Sequence, residues 1–142
     1  MLMGIPGILS PELLKIMMEM GHGDEIVIAD GNFPAAAYAR RLVRCDGHGV
    51  PPLLDAILKF FPLDSFVEQP AALMAVVPGS TDPSPAIWKE FESVLNEHGY
   101  VASKIDYMER FEFYERAKAA YAIIATGEKA IYANVILKKG VV

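Results

Sequence analysis

Four short apolar runs, each bounded by turn residues, set the limits on how this chain can fold. They are Glu25-Ile26-Val27-Ile28-Ala29 before Asp30-Gly31, AALMAVV at 71–77, YAIIAT at 121–126 before Gly127-Glu128, and YANVILKK at 132–139. Runs of this length, with β-branched residues among them, suit strands buried on both faces. The segments between them carry apolar residues at helical spacing. Ser10-Pro11-Glu12 reads as an N-cap, a proline at the first helical position and an acid in the first turn. Leu13, Leu14, Met17, Met18 and Met20 follow as a broad apolar face, and Gly21 stops the helix. Pro51-Pro52 opens a second helix through LLDAILKFF. Residues 85–98 form a third, with Trp88, Phe91 and Leu95 on one face and Gly99 at its end, and Phe111 to about Ala120 form a fourth. PGSTDPSP at 78–85 is a loop. The alternation predicts an α/β fold, with helices packed on both faces of a central, mostly parallel or mixed β-sheet. No repeat, low-complexity tract or linker divides the chain, so residues 1–142 are expected to form one domain.

Composition removes several function classes. The formal charge is −5 with a pI near 5.1, and Lys138-Lys139 is too short for a basic patch, so nucleic acid is not an expected partner. No stretch approaches the roughly 18 apolar residues of a membrane span, and the N-terminus lacks the basic and apolar regions of a signal peptide. Cys45 is the single cysteine, so no intrachain disulfide can form and a reducing, cytoplasmic home is expected. The mean hydropathy of +0.27 is high for so short a chain, which points to apolar surface covered by further copies in a homo-oligomer.

The tripeptide Gly-His-Gly occurs twice, at His22 and at His48. Flanking glycines free the ring from steric crowding. His22 lies between a helix and a buried strand, where α/β proteins place functional loops, and imidazole exchanges protons near neutrality. Equally, Gly21 is simply a helix cap and His22 a solvated loop residue. His48 precedes a Pro-Pro helix start and reads as a turn residue. His98, last in its helix, suits the negative end of the dipole. Asp30 closes a strand, where an acid can bind a sugar hydroxyl, orient a histidine or simply make a turn. Residues 25–30 extended cover about 17–20 Å at 3.3 Å per residue. His22 and Asp30 of one chain can therefore share a pocket only if the glycine turn folds back along the strand; otherwise one is donated by a neighbouring subunit. The Arg110–Arg116 stretch reads as salt-bridged surface with aromatic packing. Tyr132, Ala133 and Asn134 sit in the last strand, either as edge residues or as a hydroxyl and an amide facing a polyhydroxylated ligand. The histidines match neither an i, i+4 pair nor HExxH, so no metal site is expected, and neither nucleotide-binding glycine loops nor a GxSxG elbow occurs.

Three blocks together, SPELLKIMMEMGHGDEIVIADGNFPA, RFEFYERAKAAYAIIATGE and YANVILKKGV, resemble the RbsD/FucU family of D-ribose pyranases and L-fucose mutarotases. The likeness spans nearly the whole chain in order, and its signature is GHGDE, then four residues, then Asp. The resemblance implies an RbsD-like fold, a free monosaccharide as substrate, no cofactor, and a decameric ring with pockets built between adjacent subunits. It implies His22 as the proton donor and Asp30 as a sugar-binding acid. The position opening RFEFYERA is arginine in the fucose branch and histidine in the ribose branch, so Arg110 aligns this chain with the fucose branch. The binding stretch of the last strand falls on Tyr132, Ala133 and Asn134, with Ala133 where the family usually has glycine. His48 matches no motif of the family. The implied activity is interconversion of the α and β anomers of L-fucose. Its rivals are pyranose–furanose interconversion of D-ribose, a non-catalytic sugar-binding component of a transporter, and a bare structural oligomer.

Overall fold

The computed structural model describes residues 1–142 and contains six strands and five α-helices. The strands are β1 (Glu25–Ala29), β2 (Leu42–Cys45), β3 (Ala71–Met74), β4 (Ile105–Met108), β5 (Ala122–Thr126) and β6 (Val135–Lys138). The helices are α1 (Pro11–Glu19), α2 (Ala35–Tyr38), α3 (Val50–Leu58), α4 (Ile87–Glu97) and α5 (Arg110–Ala119), and a single 3-10 turn (Ala102–Lys104) leads into β4. The sheet runs in the order β2-β5-β1-β6-β3-β4. Only β6 is antiparallel to its neighbours, pairing with β1 on one side and β3 on the other; every other pairing is parallel.

Alternation along the strands divides the interior into two cores, as the pleat requires. Ile26 and Ile28 of β1, Ile124 of β5, Leu73 of β3 and Leu137 of β6 face the core shared with α1, α3 and α4. Val27, Ile123, Ala72 and Ile136 face the other way, against Ala35 of α2 and Phe113 and Ala117 of α5. Both faces are covered, which is why β1, β3 and β5 read as unbroken apolar runs rather than alternating ones.

The helix starts follow local chemistry. Ser10 caps α1, its Oγ accepting from the Leu13 N–H at 3.1 Å, with Pro11 at the first position; such a cap contributes about 1 kcal/mol. The buried face of α1 is Leu13, Ile16 and Met17, whereas Met18 stands out in solvent. Glu109 caps α5 by accepting from the Phe111 and Glu112 N–H groups. The second Gly-His-Gly turn abuts the β5 turn: His48 carbonyl accepts from Gly127 N–H, and Glu128 reaches across to the Val50 N–H at the start of α3. Gly127 leaves no room there, since a Cβ would fall 2.0 Å from the Asp46 carbonyl oxygen. His98 closes α4 and also contacts the Asp55 carboxylate of α3 at 2.8 Å, so a helix–helix tie accompanies its place at the helix end.

The sequence reading omitted α2 and the two edge strands, β2 and β4, and drew two others too long. The strand predicted over 71–77 stops at Met74. Tyr132, Ala133 and Asn134 precede β6 rather than belonging to it, because Tyr132 takes a left-handed backbone (φ 58°) that no strand accommodates.

Candidate functional site

Five parallel strands put all their carboxyl ends on one edge of the sheet, the edge where open α/β sheets place ligands. Asp30 follows β1 there, and Arg110 follows β4 as the first residue of α5. Because β6 is reversed, its entry segment Tyr132–Asn134 arrives at the same edge. Asp30, Arg110, Tyr132 and Asn134 therefore line one cleft of about 230 Å3, with Asn32, Phe33, Met74, Tyr114 and Ile131. Sequence separation of up to 104 residues is closed by one reversed strand.

Asp30 is 4% exposed. Its carboxylate accepts from the Asn32 N–H at 3.0 Å, the Ala133 N–H at 3.3 Å and the Asn134 Nδ2 amide at 2.9 Å. The Asn134 carbonyl oxygen in turn accepts from the Asp30 N–H at 2.8 Å. Burial pushes the Asp30 carboxyl above the usual carboxylate range, and these donors oppose that rise. Asn134 thus spends both halves of its amide on orienting Asp30. Ala133 turns its methyl into the core and gives its N–H to Asp30, and its side chain does not line the cleft.

Arg110 occupies a first helical turn, where a cation runs against the helix dipole. Its Nε is buried and has no hydrogen-bond partner. A buried donor left unmade costs about 1–3 kcal/mol, so this arginine is placed at the expense of stability, in the wall of the cleft. Tyr132 is held from behind: Trp88 Nε1 donates to its carbonyl at 3.0 Å, and the Val77 N–H donates to its hydroxyl at 3.4 Å. Backbone strain of this kind concentrates where function needs it.

His22 lies at the other edge, before β1 starts. It lines a larger, mostly apolar cavity of about 580 Å3 with Met17, Met18, Phe60, Phe61 and the terminal segment Lys139–Val142. Its Nε2 is 3.1 Å from Asp64 Oδ1, and the Phe66 ring lies 5.5 Å from the imidazole. Asp64 is buried, and the Phe66 N–H, then His22, hold its carboxyl below the ordinary range. The glycine turn does not fold back along β1, so His22 and Asp30 of one chain do not share a cleft. Asp64 was missed by sequence reasoning. It lies 42 residues from His22, and its only local signal is an Asx turn onto Phe66.

No three His, Cys, Asp or Glu side chains converge closely enough to hold a metal ion. No helix is long and apolar enough to cross a membrane. Apolar side chains stand exposed around the His22 edge, among them Met18, Phe60, Phe66, Val67 and Val141.

Residues 3–142 match the model of the RbsD / FucU transport protein family. A fucose mutarotase of Homo sapiens is 52% identical over 145 aligned residues, covering 99% of this chain and 94% of that protein. Among solved structures, the fucose mutarotase of Streptococcus pneumoniae in complex with L-fucose is 53% identical, with a TM-score of 0.96 and 99% of both chains covered. Bacillus subtilis RbsD complexed with D-ribose has the same fold at greater distance: 28% identity and a TM-score of 0.75, over 96% of this chain and 97% of that one.

Proposed function

This chain belongs to the RbsD/FucU family, and on that premise we propose that it is a fucose mutarotase, an isomerase that interconverts the α and β anomers of L-fucose. The observation that carries this reading is the 53% identity, over 99% of both chains, to a mutarotase crystallised with L-fucose. The cleft at the carboxyl edge fits it chemically, offering a carboxylate, a guanidinium and a phenol to a polyhydroxylated ring.

Anomer exchange needs the hemiacetal to open, the C1–C2 bond to rotate and the ring to close on the other face. In opening, the anomeric hydroxyl loses its proton and C1 becomes a carbonyl. The C1–O5 bond breaks, its electron pair goes to the ring oxygen, and a proton is delivered there. We assign that delivery to His22, whose imidazole can act in both directions near neutral pH, with water taking the anomeric proton. Asp30, Arg110 and Tyr132 hold sugar hydroxyls, and Ala133 and Asn134 fix Asp30. Since His22 and Asp30 face opposite edges of the sheet, the complete pocket forms between two subunits. The apolar side chains exposed around His22 are the surface such a contact would cover. A closed ring such as a decamer satisfies this head-to-tail arrangement. Residues 1–142 act as one sugar mutarotase domain, and the lone buried thiol of Cys45 suits the cytoplasm.

Exchange NMR on L-fucose tests the assignment. Wild-type protein is expected to broaden or cross-saturate the anomeric signals, and His22→Ala to leave them at the buffer rate. Faster exchange of D-ribose than of L-fucose would reverse the choice of sugar. Saturable binding without faster exchange would reduce the protein to a sugar carrier.

A further inference from the structure

We propose that Phe111 is the positioning residue of the cleft arginine: its exposed ring holds the Arg110 guanidinium in place and leaves the N–H groups of that cation free for sugar oxygens. This role rests on the reading of the cleft as the sugar site.

Phe111 has no packing reason to be aromatic. It is 61% exposed and joins neither core, whereas Phe113 and Ala117 form the buried face of α5. Its ring lies instead under Arg110, whose guanidinium carbon stands 4.6 Å from the ring centroid. The ring is itself fixed. It meets Tyr114 of the cleft wall edge-to-face, with 6.2 Å between centroids and 79° between planes. Tyr114 in turn meets Phe33 at 5.6 Å and Tyr38 at 5.5 Å, again edge-to-face. Lys118 closes the far end of this row, 4.6 Å over the Tyr38 ring.

The Arg110 guanidinium has no other hold. None of the chain's ion pairs includes it, and its Nε has no hydrogen-bond partner. Glu109, the adjacent acid, gives its carboxylate to the Phe111 and Glu112 N–H groups at the helix start. Lys118, by contrast, has Glu115 as well as a ring. A carboxylate would fix an arginine by occupying its donors, the ones a sugar hydroxyl needs. The negative face of an aromatic ring attracts the cation and occupies no N–H. A long side chain ordered in advance also loses less freedom when ligand arrives. Phe111 is not among the residues lining the cleft, so it acts on the sugar through Arg110. It sets binding and not proton transfer.

The test is a double-mutant cycle on the full-length protein, read by exchange NMR across a range of L-fucose concentrations. Phe111→Leu keeps an apolar side chain and removes the ring face. It should raise the half-saturating fucose concentration about 3- to 10-fold, the contribution of a partly desolvated cation–π contact. Maximal exchange should stay within about twofold, as for a group that acts only in binding. Phe111→Tyr, which keeps the ring face, should stay within about twofold of wild type on both measures. In an Arg110→Met background, Phe111→Leu should add no more than about 1.5-fold, because residues that act through one another do not add. An equal loss in both backgrounds would overturn the proposal, since Phe111 would then touch the sugar itself or serve a contact between copies. So would unchanged half-saturation in Phe111→Leu, a fall in its maximal exchange instead, or a Phe111→Tyr variant as weak as Phe111→Leu. The Arg110 side-chain NMR signals give a readout without sugar. Ring current should move Arg110 Hδ and Hε upfield in the wild type and in Phe111→Tyr, and that shift should vanish in Phe111→Leu. An unshifted wild-type Arg110 would overturn the proposal even if the variants failed to fold. Absence of any fucose exchange by the wild type would instead sink the mutarotase reading, and the ring-current shift would still decide whether Phe111 holds Arg110.

Discussion

His22 and Asp30 flank the same strand, β1, from opposite edges of the sheet, with buried Ile26, Val27, Ile28 and Ala29 between them. Five extended residues separate two groups by about 17 Å, too far for both to touch one monosaccharide. A site using both is therefore made of two chains. Mixing inactive His22→Ala with inactive Asp30→Ala under conditions that let subunits exchange should restore fucose exchange, since some interfaces then join an intact His22 to an intact Asp30. Anomeric exchange NMR on the mixture checks this. A mixture as inactive as its parts would place the two residues in separate functions.

Arg110 lines the cleft, and its buried Nε has no hydrogen-bond partner. Hydrogen bonds to charged groups contribute about 1.5–3 kcal/mol, so Arg110→Met should raise the half-saturating fucose concentration about tenfold or more while leaving the folded state as stable or more so. Isothermal titration and thermal melting read the two effects separately. Weaker binding with a lower melting temperature would show that the arginine is structural.

Trp88 is the only tryptophan, and its indole N–H is bonded to the Tyr132 carbonyl. Sugar settling against Tyr132 should perturb that bond, giving a saturable change in intrinsic fluorescence on titration with L-fucose. The change should vanish in Asp30→Ala, whose cleft has lost its acid. A response that persists unchanged in that variant would come from somewhere other than the cleft.

Much of this architecture is readable from sequence because β1, β3 and β5 are buried on both faces and so write unbroken apolar runs. The edge strands are not. β2 and β4 pair on one side only, and Arg44, Tyr107 and Met108 in them face partly or wholly into solvent, which erases the pattern. The four-residue α2 is too short to show a helical period. At the site, Asp30 and Arg110 are marked by their places at the ends of elements. Asp64 is not, because a contact across 42 residues between two loops leaves no periodic trace. Tyr132 misleads for the opposite reason: its composition is that of a strand, while its left-handed φ of 58° keeps it out of one.

Asp30 and Asp64 should titrate on opposite sides of the ordinary aspartate value of 3.8, Asp30 above through burial and Asp64 below through the Phe66 N–H. For Asp30 the linkage gives stability that is complete below 3.8 and is lost as pH rises through its raised value. For Asp64 the stability is complete above 3.8 and is lost as pH falls through its lowered value. Carboxyl 13C titration resolves the two. Fucose affinity should also weaken as Asp30 protonates, since the neutral acid has lost acceptor capacity; an Asp30 midpoint at or below 3.8 would contradict its desolvation.

The second Gly-His-Gly turn is structural, and its sensitive partner is Gly127. A methyl at that position meets the Asp46 carbonyl, so Gly127→Ala should cost about 3 kcal/mol, at the upper end of ordinary overpacking. His48→Ala, which removes only an exposed ring, should stay within about 0.5 kcal/mol of wild type. Urea denaturation of both variants separates them.

β6 is the last strand in the chain yet lies inside the sheet, between β1 and β3. Before β6 pairs, β2-β5-β1 on one side and β3-β4 on the other have no strand in common, so residues 135–138 are the seam that joins them. Asn134, which fixes Asp30, and Lys138, whose carbonyl anchors Asp64, stand at the two ends of that seam. Closing the sheet and fixing both carboxylates are thus one event, and a chain cut before Val135 would present two unzipped β-edges instead of a fold.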